Sequence, residues 1–133
     1  MPDKLSVLRA IYRVLKPGGI TGFLVISAGE HLTAKERARM VEDGIGPEYL
    51  DAGSGYPELM RQAGFAQVVV HDVTQDYLAT TEAWIRERAA EAEALRLLWG
   101  AERFEDRQAS QRQSLQATAD GRLRRYLVTG TRP

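Results

Sequence analysis

The sequence has no cysteine. That excludes disulfides, a thiolate nucleophile and every thiolate-based metal centre. Histidine is almost as scarce: His31 and His71 stand in different segments, and no HExxH pair exists. A transition-metal site is therefore not expected. Lysine occurs only as Lys4, Lys16 and Lys35, so the basic residues are mainly arginine. The charges balance at 18 basic and 18 acidic residues, which argues against a nucleic-acid or other polyanionic partner. No apolar run approaches the roughly 20 residues that span a bilayer, and the opening MPDKLSVLRA does not read as a signal peptide. These absences lead to the expectation of a cytoplasmic protein with no membrane partner. With 133 residues, residues 1–133 are expected to form a single domain with one core.

What is present is organised around Leu15–Ser27, LKPGGITGFLVIS. Pro17 stops a helix and Gly18-Gly19 turn the chain. The following Ile20–Ser27 run is apolar, partly β-branched and uncharged, as in a strand covered on both faces. Before it, Asp3 caps a helix with Leu5, Leu8, Ile11, Tyr12 and Leu15 on one face. After it, Thr33 and Glu36 have the spacing of a capping box for a polar helix over 34–43. Residues 44–57 are rich in Gly and Pro and read as loop. A short helix then runs to Gly64, its C-terminal glycine. Val68, Val69 and Val70 mark a second strand, 67–72, in which His71 is expected to be satisfied at the core edge. The pattern predicts one long helix over 76–98, a polar helix over 102–118 and a last strand over 124–130. Strands that are apolar on both sides call for helices on both faces, an α/β arrangement. They also leave an apolar edge at 20–27, suited to another part of a longer chain or to a second copy in a homodimer.

Three of these stretches resemble the class I methyltransferases that use S-adenosylmethionine. Arg13-Val14-Leu15-Lys16-Pro17-Gly18-Gly19 and the strand after it are similar to the helix end and fifth strand of that family. Ala63-Gly64-Phe65 resembles the turn before its sixth strand, and RRYLVTGTRP its seventh. The resemblance implies a partial Rossmann-like fold: a three-stranded mixed sheet in the order 20–27, 124–130, 67–72, the last strand running antiparallel in the middle. It covers only the second, substrate-side half of the family's domain. The family's glycine-rich cofactor loop and ribose-binding acid have no counterpart. Gly44-Ile45-Gly46 and Gly53-Ser54-Gly55 read as loop glycines instead. The implied function is methyl transfer to a small molecule, by a chain that lacks a cofactor-binding half and is inactive alone. The alternative is a non-catalytic dimerisation or interaction module derived from the same fold.

Methyl transfer from a sulfonium mainly needs an acceptor held in line, with a base where the acceptor is protonated. Ligands of open α/β sheets sit beyond the carboxyl ends of strands. His31, just past the first strand, is the candidate base, with Glu30 as its partner and Ser27 as a further contact. Tyr49 and Tyr56 are candidates to line the acceptor pocket, or plugs of the loop onto the core. Tyr77, Trp84 and Arg88 fall on one helical face, where they could form an aromatic wall with a cation for a substrate carboxylate.

Overall fold

A computed structural model describes residues 3–29, 32–42 and 55–133. The chain divides into two compact units, residues 1–73 with 124–133, and residues 74–123.

In the first unit, Asp3 caps helix α1 (Lys4–Val14) by accepting from the Ser6 amide at 3.1 Å. It also accepts from the Ser6 hydroxyl. These hydrogen bonds, the hydroxyl's first, hold the Asp3 carboxyl below its ordinary pKa. Pro17 and the left-handed Gly18 (φ 79°) turn the chain into strand β1 (Ile20–Ala28). Helix α2 (Ala34–Glu42) starts with the expected capping box. The Glu36 carboxylate accepts from the Thr33 amide at 2.7 Å, and the Thr33 hydroxyl accepts from the Glu36 amide at 3.2 Å. The Thr33 amide, then its hydroxyl, lowers the Glu36 pKa.

Helix α3 (Tyr56–Ala63) carries Pro57 in its first turn, where no amide is needed. It ends at Gly64, whose φ of 105° suits glycine. The Phe65 amide reaches back to Met60 at 3.1 Å, closing the helix end. Strand β2 (Ala66–Asp72) follows, with an irregularity between Ala66 and Val69 at which Gln67 takes φ 49°.

Strand β3 (Leu123–Thr131) is the central strand, in the order β1-β3-β2. It runs antiparallel to β2, with Val70 opposite Val128 and His71 opposite Leu127. Against β1, the Gly18 amide donates to Arg132 at 2.7 Å and the Arg132 amide to Gly19 at 2.9 Å. The start of β1 thus meets the end of β3, so this pair is antiparallel too. The expected strand order and the reversed middle strand are both present, in an α/β fold.

One face of the sheet is covered by α1 and α3. Leu8, Val25, Met60, Ala63, Phe65 and Val128 form the buried cluster there. Tyr12 meets Phe65 edge-to-face at 5.2 Å. The fit is tight at Gly130, where a side-chain carbon would lie 2.6 Å from the Met60 methyl and 3.2 Å from Phe65 Cβ. On the other face Ile20 and Leu24 stay 69% and 70% exposed. An uncharged apolar run signals cover on both sides, and on this side of β1 the described residues leave Ile20 and Leu24 uncovered.

The second unit is helical: α4 (Thr74–Ala90), α5 (Ala92–Trp99) and α6 (Ala101–Ala119). The single helix expected over 76–98 is two. Glu91 leaves helical geometry (φ −101°, ψ 20°) and α5 starts afresh from its carbonyl. The break lets α4 and α5 each pack along α6. The α4–α6 seam is unusually polar. Thr81 and Gln108 are each only 1% exposed, and the Gln108 amide donates to the Ile85 carbonyl at 3.2 Å.

Candidate functional site

In the first unit, β1 carries Ser27 to the carboxyl end of the sheet, half-buried, where its hydroxyl donates to the adjacent Ala28 carbonyl at 3.3 Å. Tyr56 opens α3. Its ring stands edge-to-face with Phe23 at 5.1 Å, and the Lys4 ammonium lies 5.0 Å from its centroid. Tyr56 is half-buried. Glu30, His31 and Tyr49 lie outside the described residues. His71 is exposed, against the expectation of a core-edge histidine. The reason is topological: β2 is an edge strand, and His71 sits opposite Leu127 rather than under a helix.

The second unit brings Tyr77, Trp84 and Arg88 onto one helix and gives each a partner there. The Tyr77 hydroxyl is 2.8 Å from Ser114 Oγ. The Arg88 guanidinium lies 5.6 Å from the Trp84 ring and 6.0 Å from the Trp99 ring. Its Nη1 donates to Gln111 Oε1 at 2.5 Å. Arg107 stands 4.8 Å from the same Trp99 ring. Both tryptophans of the chain therefore meet one arginine, each within the range of a cation–π contact. Trp84 remains 52% exposed. A guanidinium near aromatic rings is a group that can also bind a carboxylate or phosphate, and here its Nη1 is already taken by Gln111.

Sequence reasoning did not find Trp99 or Gln111 as partners of Arg88. Trp99 ends its own helix and Gln111 lies 23 residues from Arg88. Between the two tryptophans the arginines are Arg86, Arg88 and Arg96, a spacing that marks no single helical face, so the sequence carried no signal for this cluster.

The resemblance implies S-adenosylmethionine, and the described end of β2 does not fit it. Such a site needs glycines in a strand-to-helix turn and a carboxylate for the ribose diol. The turn from β2 to α4 is the single residue Val73. The carboxylate at the end of β2, Asp72, is 3.3 Å from Arg124 Nη1, an ion pair within the sheet. Among the described residues there is no cluster of three or more metal-ligating side chains. No helix among them is long and apolar enough to cross a membrane.

No protein-family model matches the sequence, and no curated protein matches it. Solved structures do match. A phosphoethanolamine N-methyltransferase 2 from Haemonchus contortus, in complex with phosphomonomethylethanolamine and S-adenosylhomocysteine, superposes with a TM-score of 0.78 at 18% identity. The match covers 98% of this chain and 30% of that one. A candidate sarcosine dimethylglycine methyltransferase from Galdieria sulphuraria gives 0.76 at 15% identity, over 99% of this chain and 48% of that one. The cyclopropane synthase MmaA2 from Mycobacterium tuberculosis gives 0.64 at 17% identity, over 96% and 49%.

The fold is methyltransferase-like. The chain spans 30% to 49% of the length of these structures.

Proposed function

We propose that this chain is the acceptor-side half of an S-adenosylmethionine-dependent methyltransferase acting on a small molecule, and that it is inactive by itself. The observation that carries the reading is the fold likeness over nearly the whole chain, at a TM-score of 0.78, to part of a larger methyltransferase. The order of the three sequence stretches LKPGG, AGF and RRYLVTG along the chain supports it. So does the poor fit of the described end of β2 to the cofactor, which leaves that task to a different stretch of polypeptide. In this reading His31 is the base, with Ser27, Glu30, Tyr49 and Tyr56 as acceptor contacts of the first unit. Tyr77, Trp84 and Arg88 supply an aromatic wall and a cation for an acceptor carboxylate. The reading places the protein in the cytoplasm.

The test is calorimetric titration of the folded 133-residue chain with S-adenosylmethionine, beside a chimera in which the chain replaces the matching segment of the Galdieria protein. The chain alone is expected not to bind and the folded chimera is expected to bind. Micromolar binding by the chain alone would refute its incompleteness. A folded chimera that cannot bind would count against the methyltransferase assignment. The second reading, a non-catalytic module of the same ancestry, rests on the open apolar edge at β1. A chimera that binds cofactor but methylates no acceptor in a broad panel would favour it.

A further inference from the structure

The second unit holds its arginines in two ways. Arg96 lies 4.9 Å from the Phe104 ring centroid and is neutralised by Glu105, whose Oε1 accepts from its Nη2 at 2.6 Å and its Nε at 3.1 Å. Arg88 and Arg107 also lie against a ring, and it is the same one: their guanidinium carbons are 6.0 Å and 4.8 Å from the Trp99 centroid. Among the described residues neither has a carboxylate partner. Two like charges beside one indole repel each other, and an oxyanion between them turns the repulsion into two attractions. Gln111 accepts from Arg88 Nη1 at 2.5 Å. That bond fixes the guanidinium plane and leaves Nε and Nη2 without a hydrogen-bond partner among the described residues. Arg107 and Gln111 are four residues apart, hence on one face of α6. The Trp84 ring, 5.6 Å from the Arg88 guanidinium, is 52% exposed. An indole left half open is a surface for a planar apolar group.

We infer that the acceptor is an aromatic carboxylate: Arg88 and Arg107 hold its carboxylate, and Trp84 takes its ring. That this ligand is the acceptor rests on the methyltransferase reading; that it binds does not. Arginine matches a carboxylate with parallel N–H groups. A benzoate is flat, so its carboxylate lies in the plane of its ring and can meet a guanidinium beside the indole. The tetrahedral group of a phosphate ester lacks that flatness. In this site Gln111 is a positioning residue for Arg88, and Arg107 is the second cation.

All five residues belong to the unit of residues 74–123, so binding requires neither cofactor nor turnover. Trp84 and Trp99 are the two tryptophans of the chain, so their indole N–H signals in an NMR titration report on this cluster. Benzoate is expected to shift both saturably, with a dissociation constant on the order of a millimolar for so small a ligand. Benzyl alcohol has the ring without the charge, and acetate the charge without the ring. Each is expected to bind about tenfold more weakly or worse. Arg107→Ala is expected to weaken benzoate about tenfold, the scale of a lost charge-assisted hydrogen bond. Arg107→Lys should restore part of it. Arg107 is exposed, and an unchanged urea midpoint checks that the fold is intact. Arg112→Ala removes another exposed cation of α6 and is expected to leave benzoate binding unchanged. Indole signals that benzoate does not shift overturn the proposal. So do acetate binding as tightly as benzoate, phenyl phosphate binding more tightly, and equal losses in Arg107→Ala and Arg112→Ala. These outcomes are distinct from those of the chimera. Benzoate binding beside a chimera that cannot bind cofactor keeps the site and removes the methyltransferase reading. A chimera that binds cofactor beside a chain that ignores benzoate does the reverse.

Discussion

Arg132 closes helix α1 from the far end of the chain. Its guanidinium lies 4.9 Å from the Tyr12 ring centroid, and its Nη1 donates to the carbonyls of Tyr12 at 3.0 Å, Arg13 at 3.1 Å and Leu15. The last carbonyls of a helix have no partner within it and carry its negative end. A cation just past the end of β3 satisfies several of them and ties the first helix to the last strand. Arg132→Ala should lower stability by about 2 kcal/mol, the scale of hydrogen bonds to a charged donor. The check is a urea midpoint with an unchanged slope. Arg132→Lys should recover only part, because an ammonium has no planar fork. A midpoint unmoved by Arg132→Ala would show that the cap contributes nothing.

Gly130 is where the central strand passes beneath α3. A methyl group there would press on the Met60 methyl at 2.6 Å and on Phe65 Cβ at 3.2 Å. Met60 is flexible, but it is fully buried and has little room to retreat. Gly130→Ala should cost about 1–3 kcal/mol as overpacking. The double variant Gly130→Ala with Met60→Val should be more stable than Met60→Val alone implies, since the two volumes trade. Strict additivity in that cycle would show that the two residues do not compete for space.

How much of this was legible in the sequence depended on whether the cause was local. Pro17-Gly18-Gly19, the Thr33–Glu36 spacing, Gly64 and the three valines each act within a few residues, and the elements they mark were placed within a residue or two. The strand order came from the resemblance, since nothing in LRRYLVTGT by itself says that it lies between the other two. The break at Glu91 was invisible because glutamate is a good helix former. It is set by how α4 and α5 each pack on α6, a tertiary cause. The exposure of His71 was missed for the same kind of reason: a run of valines announces a strand without saying that it lies at an edge. For the site, helical spacing put Tyr77, Trp84 and Arg88 on one helix, whereas Trp99 and Gln111 reach Arg88 only through the folding of the unit.

Thr81 is a polar residue in a core position of the α4–α6 seam. Its hydroxyl oxygen and Gln108 Oε1 are buried with no hydrogen-bond partner in the protein. Burying an unpaired hydroxyl is unfavourable, and valine keeps the shape while removing it. Thr81→Val should therefore raise stability by about 1 kcal/mol. A thermal midpoint that rises is the expected result. A fall of similar size would mean that the hydroxyl has a partner, such as a bound water shared with Gln108.

Glu36 gives a dependence on pH whose sign follows from its contacts. The Thr33 amide, at 2.7 Å, and the Thr33 hydroxyl, at 2.8 Å, both donate to its carboxylate and favour the charged form, so its folded pKa lies below the ordinary glutamate value. A depressed folded pKa means that the contribution of the capping box is fully present above the unfolded pKa. It is lost as pH falls through the folded one. A carboxyl-carbon NMR titration should thus find Glu36 titrating below the ordinary glutamate value, with the amides of residues 33–36 moving at the same midpoint. Glu36→Gln should abolish that acid transition. Thr33→Val keeps the amide, the larger cause, and removes the hydroxyl, so it should return the Glu36 pKa only part of the way. A Glu36 that titrates at the ordinary glutamate value in the wild-type chain would show that the capping box is not formed in solution.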